Sequence, residues 1–327
     1  MTIKYLDSKR INALAADTKP TNVETNSILI EKDTAKRFWY DGSAWTMDTI
    51  FNATRGVFGG TAGYFNTIDY ITIATTGNAT DFGDLTVARN YSGGLADATR
   101  GVFGSGLTSS GQVNVMDYIT ISTPSNATDF GNLTFVTYLV AGLADATRGV
   151  FGGGNNSQNV MDYITIATTG NATDFGDLTV GRTHLGGLAD ATRGVFAGGS
   201  GSNVMDYITI ATTGNAIDFG DLTVGRTALS GSSNETRGVF GGGSVSNIID
   251  YITIATTGNA TDFGDLTVAR EELATASSIN TRGVFGGGWT GTYSNVIDYI
   301  TIDSTGNATD FGDLTVTRRG VAGCAGS

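Results

Sequence analysis

Three short blocks between Thr54 and Thr86 decide the fold: T-R-G-V-F at 54–58, D-Y-I-T-I at 69–73 and D-F-G-D-L-T at 81–86. The blocks recur six times, and each copy is marked by the arginine of its first block, namely Arg55, Arg100, Arg148, Arg193, Arg237 and Arg282. Successive copies are therefore 45, 48, 45, 44 and 45 residues apart. This period is typical of β-propeller blades and other repeat architectures.

Each copy predicts four short strands. In the first copy these are Arg55–Phe58, the β-branched run Ile68–Ile73, Phe82–Val87 and a glycine-rich strand at Gly93–Ala96. The second strand has apolar residues on both faces, which suits a sheet stacked between two similar sheets.

The two ends of the repeat region complement each other. The region opens at Thr54 without a preceding glycine-rich strand, and it closes on R-R-G-V-A-G at 318–323, which resembles that strand. We expect the last strand to complete the first blade, because a closed ring has no exposed sheet edges. The sequence therefore predicts an all-β fold in which residues 51–327 form a six-bladed propeller with four-stranded blades.

Residues 1–50 differ from the rest in containing all five lysines, two of the three tryptophans and no copy of the repeat. Strands are predicted at Ser27–Glu31, Arg37–Tyr40 and Ser43–Thr46, with turns at 32–34 and 41–42. Because so small a sheet needs a partner surface, we interpret this β-meander as an attachment or assembly module. Its candidate assembly residues are Phe38, Trp39, Tyr40 and Trp45.

Composition restricts the classes of partner. Charges balance within residues 1–50, so the net charge of −12 belongs to the repeat region and disfavours nucleic-acid binding. No apolar run approaches the ~18 residues of a membrane helix, and the first residues do not resemble a secretory signal. Cys324 is the only cysteine, so neither an intrachain disulfide nor a cysteine-based metal site is expected.

Two family resemblances extend this interpretation. Residues 54–327 resemble kelch repeats in their glycine pairs, in the Asp-Tyr strand about ten residues later and in the short strand ending near an arginine, although phenylalanines such as Phe82 stand where kelch repeats usually have tryptophan. Residues Lys19 to Trp45, with K-P-T-N-V, E-K-D-T and R-F-W-Y-D-G-S-A-W, resemble the N-terminal segment of tailed-phage structural and tail-fibre proteins, marine phages among them. That likeness implies a virion location, a homo-oligomer and contacts with other virion subunits.

Candidate chemistry in the sequence is sparse. Some kelch-type propellers are copper oxidases, but His184 and Cys324 alone cannot supply that site, and one histidine provides no credible Ser-His-acid set. We expect no enzyme activity and no cofactor. The repeated D-F-G-D block, as at Asp81 and Asp84, fits a turn better than a calcium site. Each T-R-G-V-F arginine is expected to pair with the aspartate of D-Y-I-T-I, for example Arg55 with Asp69.

Variation between copies is confined to two sets of loops, which follow the first and third strands of each repeat. In a four-stranded meander these connections share one face of the disc, and a face with varied loops is a natural binding surface. The candidate binding residues on this face are Tyr64, Phe65, Tyr91, Tyr138, His184, Trp289 and Tyr293.

Two functional hypotheses follow. The first is a non-enzymatic phage structural protein, a tail-fibre or virion-surface component whose propeller displays a binding face for a host-surface glycan or protein. The alternative is a capsid decoration or extracellular filament subunit with a purely structural role. An intracellular kelch-type adaptor is a weaker third hypothesis, because no adaptor domain accompanies the repeats.

Overall fold

The computed structural model describes residues 4–5, 10–13, 18–20, 23, 28–31, 37–40, 43–47, 54–61, 63–234, 236–277 and 282–326. These residues contain 29 strands and no helix. From Arg55 onwards the strands form six four-stranded antiparallel sheets arranged in a ring. The repeat region is therefore a six-bladed β-propeller, as the sequence predicts. Among the described residues, no segment is a helix long and apolar enough to cross a bilayer.

Each blade takes its inner strand from the end of the preceding sequence copy, followed by the first three strands of its own copy. From the axis outwards, blade 1 contains β29 (Ala322–Gly326), β6 (Arg55–Thr61), β7 (Phe65–Thr72) and β8 (Thr80–Asp84). Blade 2 contains β9 (Gly93–Ala96), β10 (Arg100–Thr108), β11 (Gly111–Thr120) and β12 (Thr128–Thr137). Blade 3 contains β13 (Ala141–Ala144), β14 (Arg148–Gly152), β15 (Val160–Thr165) and β16 (Thr173–Asp177).

The other three blades repeat this arrangement. Blade 4 contains β17 (Gly186–Ala189), β18 (Arg193–Ala197), β19 (Val204–Thr209) and β20 (Ile217–Asp221). Blade 5 contains β21 (Ser230–Ser233), β22 (Arg237–Gly241), β23 (Ile248–Thr253) and β24 (Thr261–Asp265). Blade 6 contains β25 (Ala274–Ser277), β26 (Arg282–Gly286), β27 (Ser294–Thr301) and β28 (Thr309–Arg318). Because β29 pairs with β6, the C-terminal strand closes the ring, which confirms that prediction.

The N-terminal residues form a separate five-stranded sheet. Its strands are β1 (Lys4–Tyr5), β2 (Arg10–Ala13), β3 (Ile28–Glu31), β4 (Arg37–Tyr40) and β5 (Trp45–Met47), in that order across the sheet. The pair β2–β3 is parallel and the other pairs are antiparallel. The three predicted strands are present, whereas the predicted turns at 32–34 and 41–42 lie outside the described residues.

The blades pack through the phenylalanine of T-R-G-V-F. Phe103 is completely buried in a cluster that also contains Val57, Ile68 and Phe82 of blade 1. A Cβ atom at Gly59 would lie 3.0 Å from Cε1 of Phe103, so the small residue after R-G-V-F, a glycine in five blades and Ala197 in blade 4, makes room for the phenylalanine of the next blade. Burial of each large ring between two sheets is what holds neighbouring blades together.

The arginines of T-R-G-V-F do not pair with the aspartates of D-Y-I-T-I, so that prediction is wrong. Phe58, not Arg55, lies opposite Asp69 in the β6–β7 ladder, which places Arg55 three residues further along the strand. Its guanidinium lies 4.3 Å above the ring of Tyr70, and Nη1 donates a hydrogen bond of 2.7 Å to the carbonyl of Ile121 in the next blade. The six arginines thus link all six blades, with acceptors Ile121, Ile166, Ile210, Ile254, Ile302 and Ile73.

The buried aspartates pair instead with the arginine that ends the outer-strand segment of the preceding blade. The ion pairs are Arg89–Asp117, Arg182–Asp206, Arg226–Asp250, Arg270–Asp298 and Arg318–Asp69, and all ten side chains are buried. Arg318–Asp69 joins blade 6 to blade 1 across 249 positions. The charges therefore bridge blades rather than strands of one blade.

The D-F-G-D block lies in the outer strand rather than in a turn. Thr80–Asp84 is β8, which stops short of the predicted Val87. Beyond its end, Thr86 donates its backbone N–H to Asp117 of blade 2. The asparagine of the N-A-T motif also crosses to a neighbour, since Oδ1 of Asn126 accepts the backbone N–H of Asp84 at 3.1 Å. Among the described residues, no group of three or more His, Cys, Asp or Glu could hold a metal ion.

Candidate functional site

The six inner strands surround a narrow axial channel. Its cavity has a volume of about 260 Å³, and its walls consist of small residues such as Gly94, Ala96 and their equivalents. Neighbouring inner strands touch through their backbones, because a Cβ atom at Gly142 would lie 2.4 Å from the carbonyl oxygen of Gly94. Small side chains are therefore required along the walls. Larger and chemically different side chains fit only at the ends of the channel.

One end of the channel is encircled by a ring of six backbone hydrogen bonds, which we call the mouth ring. Its members, one from each connection between blades, are Tyr91, Leu139, His184, Ala228, Glu272 and Gly320. Tyr91 N–H donates to Gly320 O at 2.9 Å, Leu139 N–H donates to Tyr91 O at 2.9 Å, and the pattern continues through every member back to Gly320. All six have the same left-handed backbone, with φ values of 56°, 67°, 55°, 60°, 58° and 62°.

The mouth ring combines a uniform backbone with six different side chains. A left-handed conformation disfavours most L-residues, yet here it is adopted by tyrosine, leucine, histidine, alanine and glutamate as well as glycine. The closed hydrogen-bond ring imposes the conformation whatever the side chain. The side chains at these positions are therefore free to differ, and they do.

Tyr91 connects both halves of the mouth. Its ring packs edge-on against His184, with centroids 5.5 Å apart, and lies 6.1 Å from the ring of Tyr138. In the other direction its hydroxyl donates a hydrogen bond of 3.2 Å to Oε2 of Glu272. Tyr91, His184 and Glu272 come from three different connections between blades, so their side chains converge over the axis.

Charged and aromatic groups continue from Glu272 towards blade 6. Nε of Arg319 lies 3.4 Å from Oε2 of Glu272. The guanidinium of Arg319 also lies 4.4 Å from the ring centroid of Trp289 and 5.4 Å from that of Tyr293. The two rings are 5.6 Å apart in an edge-to-face arrangement. Hydrogen-bond donors, one carboxylate acceptor and aromatic faces thus lie within one patch.

Burial shifts the protonation equilibria of this patch. It raises the pKa of Glu272, an effect that Arg319 and the hydrogen bond from Tyr91 oppose. Burial, together with the charge of Glu272, raises the pKa of Tyr91 to about 12. Burial lowers the pKa of His184 to about 4, so this imidazole is neutral at pH 7, and its Nε2 atom is buried with no hydrogen-bond partner in the described part of the chain. The groups are suited to non-covalent recognition through neutral hydrogen bonds and ring faces.

Most of the candidate binding residues meet at this site. The structure brings together Tyr91, Tyr138, His184, Trp289 and Tyr293. Tyr64 lies instead in the β6–β7 connection of blade 1 and Phe65 begins β7, and they are 40% and 59% exposed. Glu272 and Arg319 belong to the site but were not among the predicted residues. The signal for Glu272 is positional, since every member of the mouth ring is the second residue after the position of the outer-strand arginine.

Both sets of varied loops lie on the face that carries the mouth ring. They are joined by backbone hydrogen bonds, such as Asn155 N–H to Tyr138 O at 2.9 Å and Trp289 N–H to Glu271 O at 2.7 Å. The surface of this face is uneven, because the blades differ in strand length. In blade 2, β10 and β11 have 9 and 10 residues, whereas the equivalent β14 and β15 of blade 3 have 5 and 6. The predicted segregation of the varied loops onto one side is confirmed.

The candidate assembly residues lie within the N-terminal sheet. Tyr40 is buried, Phe38 is half-buried, and Phe38 and Trp45 pack against the completely buried Leu29. Nε1 of Trp45 donates a hydrogen bond of 2.5 Å to the carbonyl of Pro20. Trp39 is in strand β4, and its side chain lies outside the described residues. These aromatics contribute to the core of their own sheet, and their role in assembly stays a prediction.

The chain matches no protein-family model and no curated protein. A propeller fold hosts many unrelated functions, so the function has to be argued from the site itself.

Proposed function

We propose that this protein is a non-enzymatic structural component of a phage particle, a tail-fibre or other virion-surface protein, whose propeller binds a host-surface glycan or protein. The observation that carries this proposal is the mouth ring, where an identical backbone holds six different side chains. The resemblance of Lys19 to Trp45 to phage tail proteins supports the location on the virion surface.

The composition of the face supports recognition. Most of each blade repeats almost unchanged, while five of the seven candidate binding residues, together with Glu272 and Arg319, gather around the mouth. Tyrosine, tryptophan and arginine contribute most of the binding energy in many interfaces, because they bury a large area and retain a hydrogen-bonding group. Trp289, Tyr293 and Arg319 supply these residue types next to the half-buried Glu272.

The N-terminal sheet completes this proposal as the attachment module. We assign it the contact with other virion subunits and the formation of a homo-oligomer. Several copies of a weak site on one particle would then act together, because linked sites bind with a high effective concentration.

The proposal is tested by binding of the full-length protein to host cells and to a glycan array. Replacing both Trp289 and Tyr293 by alanine removes two adjacent aromatic faces, and we expect a loss of affinity of roughly 30-fold, the effect of losing about 2 kcal/mol at a hot spot. Val245→Ala is the matched control, because Val245 is an exposed residue on the same face in blade 5. Equal binding by the double variant and the wild type would contradict the proposal.

A second candidate, a purely structural subunit, is favoured by apolar residues on the rim. The valine of L-T-V is exposed in five blades, at Val87, Val180, Val224, Val268 and Val316. A regular band of exposed apolar groups fits side-by-side packing of discs. Light scattering and negative-stain microscopy of the full chain and of a variant starting at Phe51 test it. Lateral arrays that persist without the N-terminal sheet and are lost in Val180→Glu would favour this candidate.

A further inference from the structure

The carboxylate of Asp162 in blade 3 has a different environment from its five equivalents. It is 1% exposed, yet within the described residues it makes no ion pair. The preceding outer-strand segment ends in Thr137, where the other five copies have arginine. Thr134 donates its backbone N–H and hydroxyl to Asp162, but these are neutral donors. One of six equivalent buried carboxylates therefore lacks the cation that the others have.

The equivalent interfaces show which oxygens surround that cation. In blade 5, Nη1 of Arg226 lies 2.8 Å from Gly242 O and 2.7 Å from Ile248 O, and Nη2 lies 2.6 Å from Oδ2 of Asp250. Arg182 binds the corresponding oxygens of blade 4, which are Gly198 O, Val204 O and a carboxylate oxygen of Asp206. In these two interfaces the guanidinium is thus held by two carbonyls and one carboxylate.

Blade 3 has the same three oxygens, on Gly153, Val160 and Asp162. Its strands β14 and β15 have the same lengths as those of blades 4 and 5. The local backbone also agrees, because Gly153 N–H donates to Val160 O at 3.0 Å just as Gly242 N–H donates to Ile248 O at 3.0 Å.

Thr137 reaches only part of the way into this space. It is completely buried, and its Oγ1 accepts the backbone N–H of Asn155 at 3.2 Å. A Cβ atom at Gly154 would lie 2.4 Å from that Oγ1, whereas at the equivalent Gly288 it would lie 3.3 Å from Cδ of Arg270. Thr137 therefore takes the place of the first part of the arginine chain and leaves the place of the guanidinium to another group.

We propose that blade 3 binds a monovalent metal cation, Na⁺ or K⁺, between Asp162 Oδ2 and the carbonyls of Gly153 and Val160. A buried carboxylate without a counter-ion is costly, and hard oxygen ligands of this kind suit alkali cations. The single negative charge is balanced by one positive charge, which favours a monovalent over a divalent ion.

The first test measures thermal unfolding of the full chain in Na⁺, K⁺ or tetramethylammonium chloride at equal ionic strength and pH 8. Because the ion binds the folded state, we expect Na⁺ or K⁺ to raise Tm by about 2–4 °C over tetramethylammonium, which is too large for the site. Asp162→Asn removes the charged ligand and Thr137→Arg supplies a guanidinium, so both variants lose the difference. Thr137→Ser is the matched control and retains it.

The second test does not depend on the variants folding. Crystals of the wild type soaked in Rb⁺ or Tl⁺ are expected to give an anomalous peak within about 3 Å of Asp162 Oδ2. A wild-type Tm equal in all three salts, or crystals without that peak, would overturn the proposal and assign a protonated carboxyl group to Asp162.

Discussion

The Tyr91 hydroxyl hydrogen bonds to Oε2 of Glu272 at 3.2 Å although 181 positions separate the two residues. Tyr91 belongs to the connection between blades 1 and 2, and Glu272 to that between blades 5 and 6. Ring closure is what makes this contact possible, since an open array would hold the two connections far apart. The hydrogen bond between Tyr91 and Glu272 at the mouth therefore depends on closure of the propeller ring.

Loss of the Tyr91 hydroxyl should raise the pKa of Glu272 further. The hydrogen bond favours the charged carboxylate, and Tyr91→Phe removes it while retaining the ring that packs against His184. The measurement is an NMR titration of the glutamate side-chain carboxyl carbons. Tyr138→Phe is the control, because it removes a hydroxyl from the neighbouring ring. A Glu272 pKa that is the same in Tyr91→Phe and the wild type would show that the hydrogen bond does not form in solution.

Glu272 should also make stability depend on pH. Its pKa in the folded protein is raised above the ordinary value of 4.5, so between these two values the folded state holds a proton that the unfolded chain has lost. The free energy of unfolding therefore falls as pH rises through this window. Glu272→Gln should lose this component of the pH dependence, which urea unfolding at a series of pH values would measure. Val245→Ala, which changes no titratable group, should leave the profile unchanged.

The buried ion pairs predict unequal costs for one substitution made at equivalent positions. Asp206→Asn leaves the guanidinium of Arg182 buried without a carboxylate, which should cost about 3–5 kcal/mol. Asp162→Asn leaves no arginine without its carboxylate. With tetramethylammonium as the only added cation, this variant should lose less than about 1 kcal/mol of the free energy of unfolding. Urea unfolding of both variants checks the difference. Equal losses would mean that the Arg182–Asp206 pair contributes nothing specific.

Much of the architecture could be predicted from the repeats, because a 45-residue period with four strand signals leaves few alternatives to a propeller. The pairing of the buried arginines and aspartates could not be predicted from the repeats. Sequence proximity suggested Arg55 with Asp69, but the true partner of Asp69 is Arg318, at the other end of the repeat region. Only the offset between neighbouring blades, which depends on how whole sheets stack, decides which arginine reaches which aspartate.

The candidate site could likewise be predicted only in part from the sequence. Variable positions can be recognised by comparing the copies, and five of the seven binding candidates do meet at the mouth. Arg319 was missed because R-R-G-V-A-G was interpreted as strand only, and Glu272 because the candidates were limited to aromatic residues and the histidine. The ring of backbone hydrogen bonds leaves no pattern in residue type. A ring held only by backbone hydrogen bonds does not restrict residue type, so the amino-acid sequence does not reveal it.

The glycines of the inner strands should tolerate no methyl group where a carbonyl faces them. In Gly142→Ala the new Cβ would meet the carbonyl oxygen of Gly94 at 2.4 Å, and because backbone cannot move aside cheaply we expect a loss of about 3 kcal/mol. Ala144→Ser is the matched control on the same strand and face, since blade 5 already has Ser233 at that position, and it should change stability by less than about 0.5 kcal/mol.

Blade 6 shows what does fit beside such a carbonyl. Thr275 stands where the other inner strands have this glycine, and its hydroxyl donates a hydrogen bond to the carbonyl of Gly231. A methyl group can only repel that oxygen, whereas a hydroxyl can bind it, so Gly142→Ser should be less damaging than Gly142→Ala although it adds one more atom. Urea unfolding of the two variants gives the order, and a serine variant less stable than the alanine variant would show that volume alone decides.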